Sequence, residues 1–187
     1  MASIIKELKR GLSKLKEVYN SSELVQTACY LAVFLFVFFV VLPFVFGTPS
    51  PINSVVSSSM EHHSDAWESW LLQHNFTNQD VENIVFGNGF NAGDMVIAVA
   101  PTNIKKGDVI LYNLRIAAPD KINKDFIIIH RVVEINETES KKYYALKGDN
   151  NLQKDPVQVP ENAIIGKAVL VIPYLGWPRK VMNDLLL

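Results

Sequence analysis

The sequence predicts a mainly β protein: a partly barrel-shaped antiparallel β domain with a small helical insertion, preceded by one transmembrane helix. Three observations carry this expectation. Runs rich in Val, Ile and Tyr recur between glycine-containing turns, as half-buried strands do. Residues 64–86 break that pattern with helical spacing. Ahead of both, no charged residue falls between Ala28 and Phe46, a stretch dominated by Val, Leu and Phe and long enough to cross a bilayer.

The elements follow in order. Residues 1–23 read as a cytoplasmic basic amphipathic segment: Ile4, Ile5, Leu8, Leu12, Leu15 and Val18 recur at helical spacing with lysines and Arg10 between them. Such a helix lies along a membrane surface or docks its apolar stripe on a partner. Residues 24–46 read as the anchor. A cleavable signal peptide competes for this stretch, but its apolar core usually runs only about 7–15 residues and seldom follows so long a charged leader. A retained anchor is therefore expected, with Gly47-Thr48-Pro49-Ser50 as the site where cleavage would otherwise fall. The leader carries a net charge of +2 and the rest of the chain −3. Basic flanks stay in the cytoplasm, so the expected location is the cell membrane, single-pass, with the N-terminus inside and residues 47–187 extracytoplasmic.

That outer segment is of ordinary size for one domain. Its expected strands are Met95–Ala100, Val109–Asn113, Phe126–Glu134, Lys142–Lys147 and Ile164–Ile172, bounded by Gly93-Asp94, Gly107-Asp108, Gly148-Asp149 and Pro173. The helical insertion rests on Trp67, Trp70 and Leu71 at i, i+3 and i+4, and on Thr77 with Asp80 as a capping box. Cys29, the one cysteine, lies in the apolar run, so no intrachain disulfide holds the domain. Asn75-Phe76-Thr77 and Asn136-Glu137-Thr138 match the N-glycosylation pattern on the expected outer side, and Asn20-Ser21-Ser22 matches it on the inner side. With 18 basic against 19 acidic residues, the chain has no charge surplus for nucleic acid, and no nucleic-acid partner is expected.

Few residues are equipped for reaction chemistry. Ser57-Ser58-Ser59 reads on composition alone as a polar linker. His62 and His63, with Asp65 and His74 nearby, lack the spacing of metal ligands, because adjacent side chains on a strand face opposite ways. No metal and no cofactor are expected. His130 ends the run Phe126–Ile129 and stands among core residues, where a histidine satisfied by a backbone carbonyl is the plain alternative. A serine nucleophile needs a base within hydrogen-bond reach and a third group to orient that base. Ser59, His130 and either Asp149 or Asp155 supply such a set, though spacing alone does not bring them together.

The motifs in order are Ser57-Ser58-Ser59-Met60, Gly93-Asp94-Met95-Val96, Gly107-Asp108-Val109-Ile110, Ile129-His130-Arg131-Val132, Gly148-Asp149-Asn150-Asn151 with Asp155, and Ile172-Pro173-Tyr174-Leu175-Gly176-Trp177-Pro178. With the apolar span before them, they resemble type I signal peptidases of the archaeal and endoplasmic-reticulum class over residues 25 to 180. The resemblance implies a serine endopeptidase that removes N-terminal signal peptides from secreted precursors, cutting after a small residue with another small residue two positions earlier. It makes Ser59 the nucleophile and His130 the general base, in the place where the bacterial class carries a lysine. It offers Asp155 as leading orienter of His130 and Asp149 as second candidate. Oxyanion donors would be the Ser59 backbone N–H and Ser57. The implied partners are signal-peptide-bearing precursors, membrane lipid and the protein translocation channel. The chain departs from many relatives after Met60, where Glu61-His62-His63 replaces an early proline and the insertion runs to Asn91.

Two other readings compete. A self-cleaving regulator on a similar β scaffold requires a lysine base and usually a DNA-binding domain, neither of which is visible. A non-enzymatic anchored β domain for surface assembly or adhesion would make Ser59 and His130 incidental.

Overall fold

A computed structural model describes residues 2–20, 22–138 and 141–186. The chain divides into two compact units, residues 1–45 and 46–187.

In the first unit, α1 (Ala2–Tyr19) exposes Ile4, Ile5, Leu8 and Leu12. The side chains of Leu15 and Val18 and all of Ser21 lie outside the described residues. Ser22 caps α2 (Glu23–Phe46), its hydroxyl accepting from the Val25 N–H at 3.2 Å. The 24 residues of α2 are long and apolar enough to cross a membrane. Within α2, Val37–Val41 is wound as π-helix, with the Leu42 N–H bonded to the Val37 carbonyl. Pro43 follows at once; it has no N–H to give, and its ring crowds the carbonyl of Phe39 four residues back, which favours a wider turn there.

In the second unit, the described residues form a seven-stranded antiparallel sheet. Its strands are β1 (Ile52–Ser54), β2 (Met95–Val99), β3 (Val109–Asn113), β4 (Ile127–Glu137), β5 (Lys142–Lys147), β6 (Val159–Pro160) and β7 (Ile164–Ile172), in the spatial order β1-β2-β7-β3-β4-β5-β6. The five longer strands stand at the expected apolar runs, with β2 ending one residue earlier, at Val99, and β4 running from Ile127 to Glu137. β1 and β6 have three and two residues, too few to show a period, and Pro160 removes a ladder donor; they occupy the two edges.

β3 reads as a continuous apolar run because both its faces are covered. Ile110 and Tyr112 pack with Val132, Tyr144 and Leu146, while Val109 and Leu111 pack with Val55, Met60, Phe90 and Val96. The stretch 64–86 contains α3 (Ala66–Gln73) and α4 (Asn78–Glu82), followed by turns. Thr77 and Asp80 make the reciprocal capping box that starts α4. Trp67 and Leu71 from α3, with Phe76, cover Val133 and Ala145 of β4 and β5.

Two further helices escaped the sequence reading. α5 (Leu114–Ala117) is a single turn capped by the Asn113 side chain. α6 (Trp177–Leu186) follows the turn after β7, Leu187 lying outside the described residues. Gly93, at φ +96°, leaves room for Trp177: a Cβ there would lie 2.5 Å from the indole nitrogen. Among the acceptor patterns, Asn75 and Asn136 are both exposed.

Candidate active site

His130 sits in the middle of β4, paired with Ile110 of β3, and Tyr112 of β3 pairs with Ile128. Since residues two apart on a strand share a face, His130 and Tyr112 are diagonal neighbours on one side of the sheet. After β5 the chain turns through Gly148–Asn151 and returns alongside β5, with the Asp155 N–H bonded to the Leu146 carbonyl at 2.8 Å. This return brings Asp155 up to the diagonal pair. His130 Nδ1 lies 2.7 Å from Asp155 Oδ2, and the Tyr112 hydroxyl donates to the same oxygen at 2.9 Å. The His130 and Asp155 side chains are only 9% and 8% exposed, so water competes little for these bonds.

The other ring nitrogen, Nε2, lies 3.2 Å from Ser59 Oγ. With a carboxylate on Nδ1, a neutral imidazole carries its proton there and presents the Nε2 lone pair to the serine hydroxyl. The Ser59 backbone is tied to the Gly148–Asn151 turn: Asn150 donates its N–H to the Ser59 carbonyl at 2.8 Å and its side-chain amide to the Ser58 carbonyl at 3.0 Å. Gly148 fits because it lacks a side chain, since a Cβ there would lie 2.8 Å from both His130 Nε2 and the Ser59 carbonyl oxygen. Ser57 Oγ lies 3.2 Å from Ser59 Oγ. A groove of about 320 Å³ runs past Ser59 and His130, walled by Val55, Val56, Phe126, Ile127 and Ile129.

Asp149 is placed differently. Its carboxylate takes both Arg131 Nε and Nη2, at 2.8 and 2.7 Å, and faces His62 Nε2 at 2.8 Å. Burial pushes this carboxyl up, but the hydrogen bonds from His62 and Arg131 and the guanidinium charge outweigh burial and hold it below its ordinary range. Arg131 and Lys147 are directly opposite across β4 and β5, an arrangement that repels. Asp149 offsets it, giving its side chain to Arg131 and, with Gly148, backbone carbonyls to Lys147 Nζ. Burial in turn pushes the Lys147 ammonium down from its ordinary value. Of the two aspartates named from sequence, the structure therefore brings Asp155 to His130 and engages Asp149 with Arg131 and His62.

The other histidines diverge. His63 pairs with Glu61 at 2.8 Å, and His74 stacks on Trp70 while facing its carbonyl at 2.7 Å.

Tyr112 is the residue that sequence reasoning missed. Its phenol is held well above the ordinary tyrosine range by burial, then by the Asp155 charge and hydrogen bond, so it stays a proton donor to the carboxylate. Tyrosine in an apolar strand reads as core, and only the return of the 149–155 segment reveals its hydroxyl's partner. Tyr112→Phe removes one of the bonds that aim Asp155 while keeping the ring. The expected result is a several-fold fall in kcat, with a loss of about 1 kcal/mol in stability for the missing hydrogen bond. Steady-state rates and thermal unfolding of the two proteins check it, and unchanged kcat would leave Tyr112 a packing residue.

Among curated proteins, the chain is similar to the signal peptidase complex catalytic subunit sec11 of Schizosaccharomyces pombe, with 30% identity across 72% of this chain and 68% of that protein. A shorter match, 41% identical over 56 residues, joins it to an uncharacterized protein of Methanocaldococcus jannaschii, covering 27% of this chain and 28% of the other. No family model matches, and no solved structure matches.

Proposed function

Because this chain belongs to the type I signal peptidases of the endoplasmic-reticulum and archaeal class, we propose that it is a membrane-anchored serine endopeptidase that removes N-terminal signal peptides from secreted precursors. The observation that carries this reading is the chain of contacts from Ser59 Oγ to His130 Nε2, 3.2 Å, and from His130 Nδ1 to Asp155, 2.7 Å.

Ser59 attacks the scissile carbonyl as His130 takes its proton. Asp155 keeps the imidazole in the productive tautomer and stabilises the imidazolium that forms. The leaving amine takes the proton back from His130, which then activates water to hydrolyse the acyl-enzyme. The Ser59 N–H and the Ser57 hydroxyl are the proposed oxyanion donors, placed to favour the charge that develops in the transition state. The groove beside Ser59, walled by Val55, Val56, Phe126, Ile127 and Ile129, is the proposed seat of the extended peptide around the cut.

The proposed layout is a cytoplasmic segment over 1–23, an anchor over 24–46 and an extracytoplasmic catalytic domain over 47–187. Ser59 follows Phe46 by 13 residues in sequence, and in the proposed layout the translocation channel delivers precursors to the outer side. Two measurements test the reading. Full-length protein in detergent should cut a signal-peptide-bearing precursor at one bond. In intact cells or spheroplasts, protease added outside should digest epitopes within 47–187 and spare one at residue 2. The opposite protection pattern would separate the enzyme from its substrates and remove the reading.

A further inference from the structure

His62 follows the Ser-Met pair by two residues, and the chemistry assigned to Ser59, His130 and Asp155 makes no use of it. Its surroundings are nevertheless tightly built. The side chain is 8% exposed, and the ring stacks on Trp67 with centroids 4.0 Å apart. Gly89 presses against it, at φ +66°, where a Cβ would lie 2.8 Å from the ring. Nδ1 faces the Gly87 carbonyl at 2.9 Å and Nε2 faces Asp149 Oδ2 at 2.8 Å. A carbonyl and a carboxylate only accept, so a ring nitrogen that carries a proton donates to the one it faces.

Arg131 performs the same service from the other side. While holding Asp149, it donates Nη1 to the carbonyls of Val85 and Gly107, each at 2.8 Å. The end of the insertion, residues 85–87, is thus held by two donors that meet at a single carboxylate. The main chain beside that carboxylate carries the nucleophile: the Asp149 N–H rests on Met60 Sδ at 3.4 Å, and the next residue binds the Ser59 carbonyl.

We infer that His62 is a positioning residue of the peptidase: through Asp149 it ties the helical insertion to the Gly148–Asn151 turn and so sets Ser59 against His130. The inference rests on the serine-peptidase reading above. Loss of the ring leaves Asp149 with Arg131 as its side-chain donor and releases the Gly87 carbonyl, so the turn and the Ser59 backbone it grips shift together. A displacement on the order of 1 Å at reacting atoms costs about 10²-fold, and a partial shift proportionately less. The peptide substrate meets the groove walls rather than His62, so the effect falls on turnover and spares binding.

The test measures kcat and KM of full-length wild type, Ser59→Ala, His62→Ala and His62→Gln in detergent on one precursor, with thermal unfolding of each. His62→Ala should lower kcat roughly tenfold with KM within about twofold. His62→Gln keeps an amide donor for one of the two acceptors and should recover part of that loss, resting about threefold below wild type. Folded His62→Ala with wild-type kcat, or a loss confined to KM, would overturn the assignment. Should the alanine variant fail to fold, His62→Gln decides, and wild-type kcat in that variant overturns it equally. Turnover that requires Ser59 but ignores both His62 substitutions removes this inference alone, whereas turnover that survives Ser59→Ala removes the peptidase reading with it.

Discussion

Ser59→Ala is expected to reduce precursor cleavage to background while leaving the protein folded, and His130→Ala is expected to do the same. In the proposed mechanism the two side chains act as one unit: without the hydroxyl there is no nucleophile, and without the imidazole the hydroxyl keeps its proton. In a serine-protease template, removing either costs on the order of 10⁶ in kcat, about as much as removing both. The double variant should therefore be no worse than either single one. Ser58→Ala provides the contrast, because Ser58 gives its backbone carbonyl to Asn150, a bond that alanine retains. Near-normal cleavage in Ser58→Ala beside background rates in Ser59→Ala is the expected pattern. Wild-type turnover in either Ser59→Ala or His130→Ala would end the Ser-His mechanism.

Asp155→Asn and Asp149→Asn should separate the two acids. Asparagine at 155 is close in shape, but it cannot stabilise the imidazolium and its amide disturbs the tautomer that leaves Nε2 unprotonated. The expected loss is on the order of 10⁴ in kcat, with modest change in unfolding temperature. Asparagine at 149 leaves the buried Arg131 guanidinium without its countercharge, for which the expected cost is about 3–5 kcal/mol of stability. Its effect on kcat should be smaller and indirect. The pH dependence follows from the Asp149 carboxyl being held below its ordinary range. The folded state binds this proton less readily than the unfolded chain, so the ionised carboxylate stabilises the fold above the ordinary carboxylate range. That contribution is lost as pH falls through the lowered value. Asp149→Asn should flatten this part of the acid-unfolding curve. A larger kcat loss at Asp149, with little change at Asp155, would keep the mechanism and exchange the acids.

Much of this architecture is legible along the chain because its signals are local. Apolar, β-branched runs between turn residues located β2, β3, β4, β5 and β7, the absence of charge marked the apolar span of α2, and the Thr77-Asp80 spacing anticipated a real capping box. Ser59, His130 and Asp155 were nameable through ordered motifs, each with a plain alternative when taken alone. What sequence could not express is convergence. Ser59 and His130 are 71 positions apart, and Tyr112 and Asp155 are 43; their meeting depends on the register of β3 with β4 and on how the chain returns after β5. Spacing alone left Asp149 and Asp155 both open, six residues apart after one glycine turn, and only the family resemblance put Asp155 first. Tertiary structure separates them by electrostatics: the buried cation Arg131 demands the nearer carboxylate, and the farther one is carried along β5 to His130 and Tyr112. His62 shows the same limit. Its neighbours in sequence gave no sign that its partners are Asp149 and Gly87, because a histidine's role is set by what acceptors the fold places around its two nitrogens.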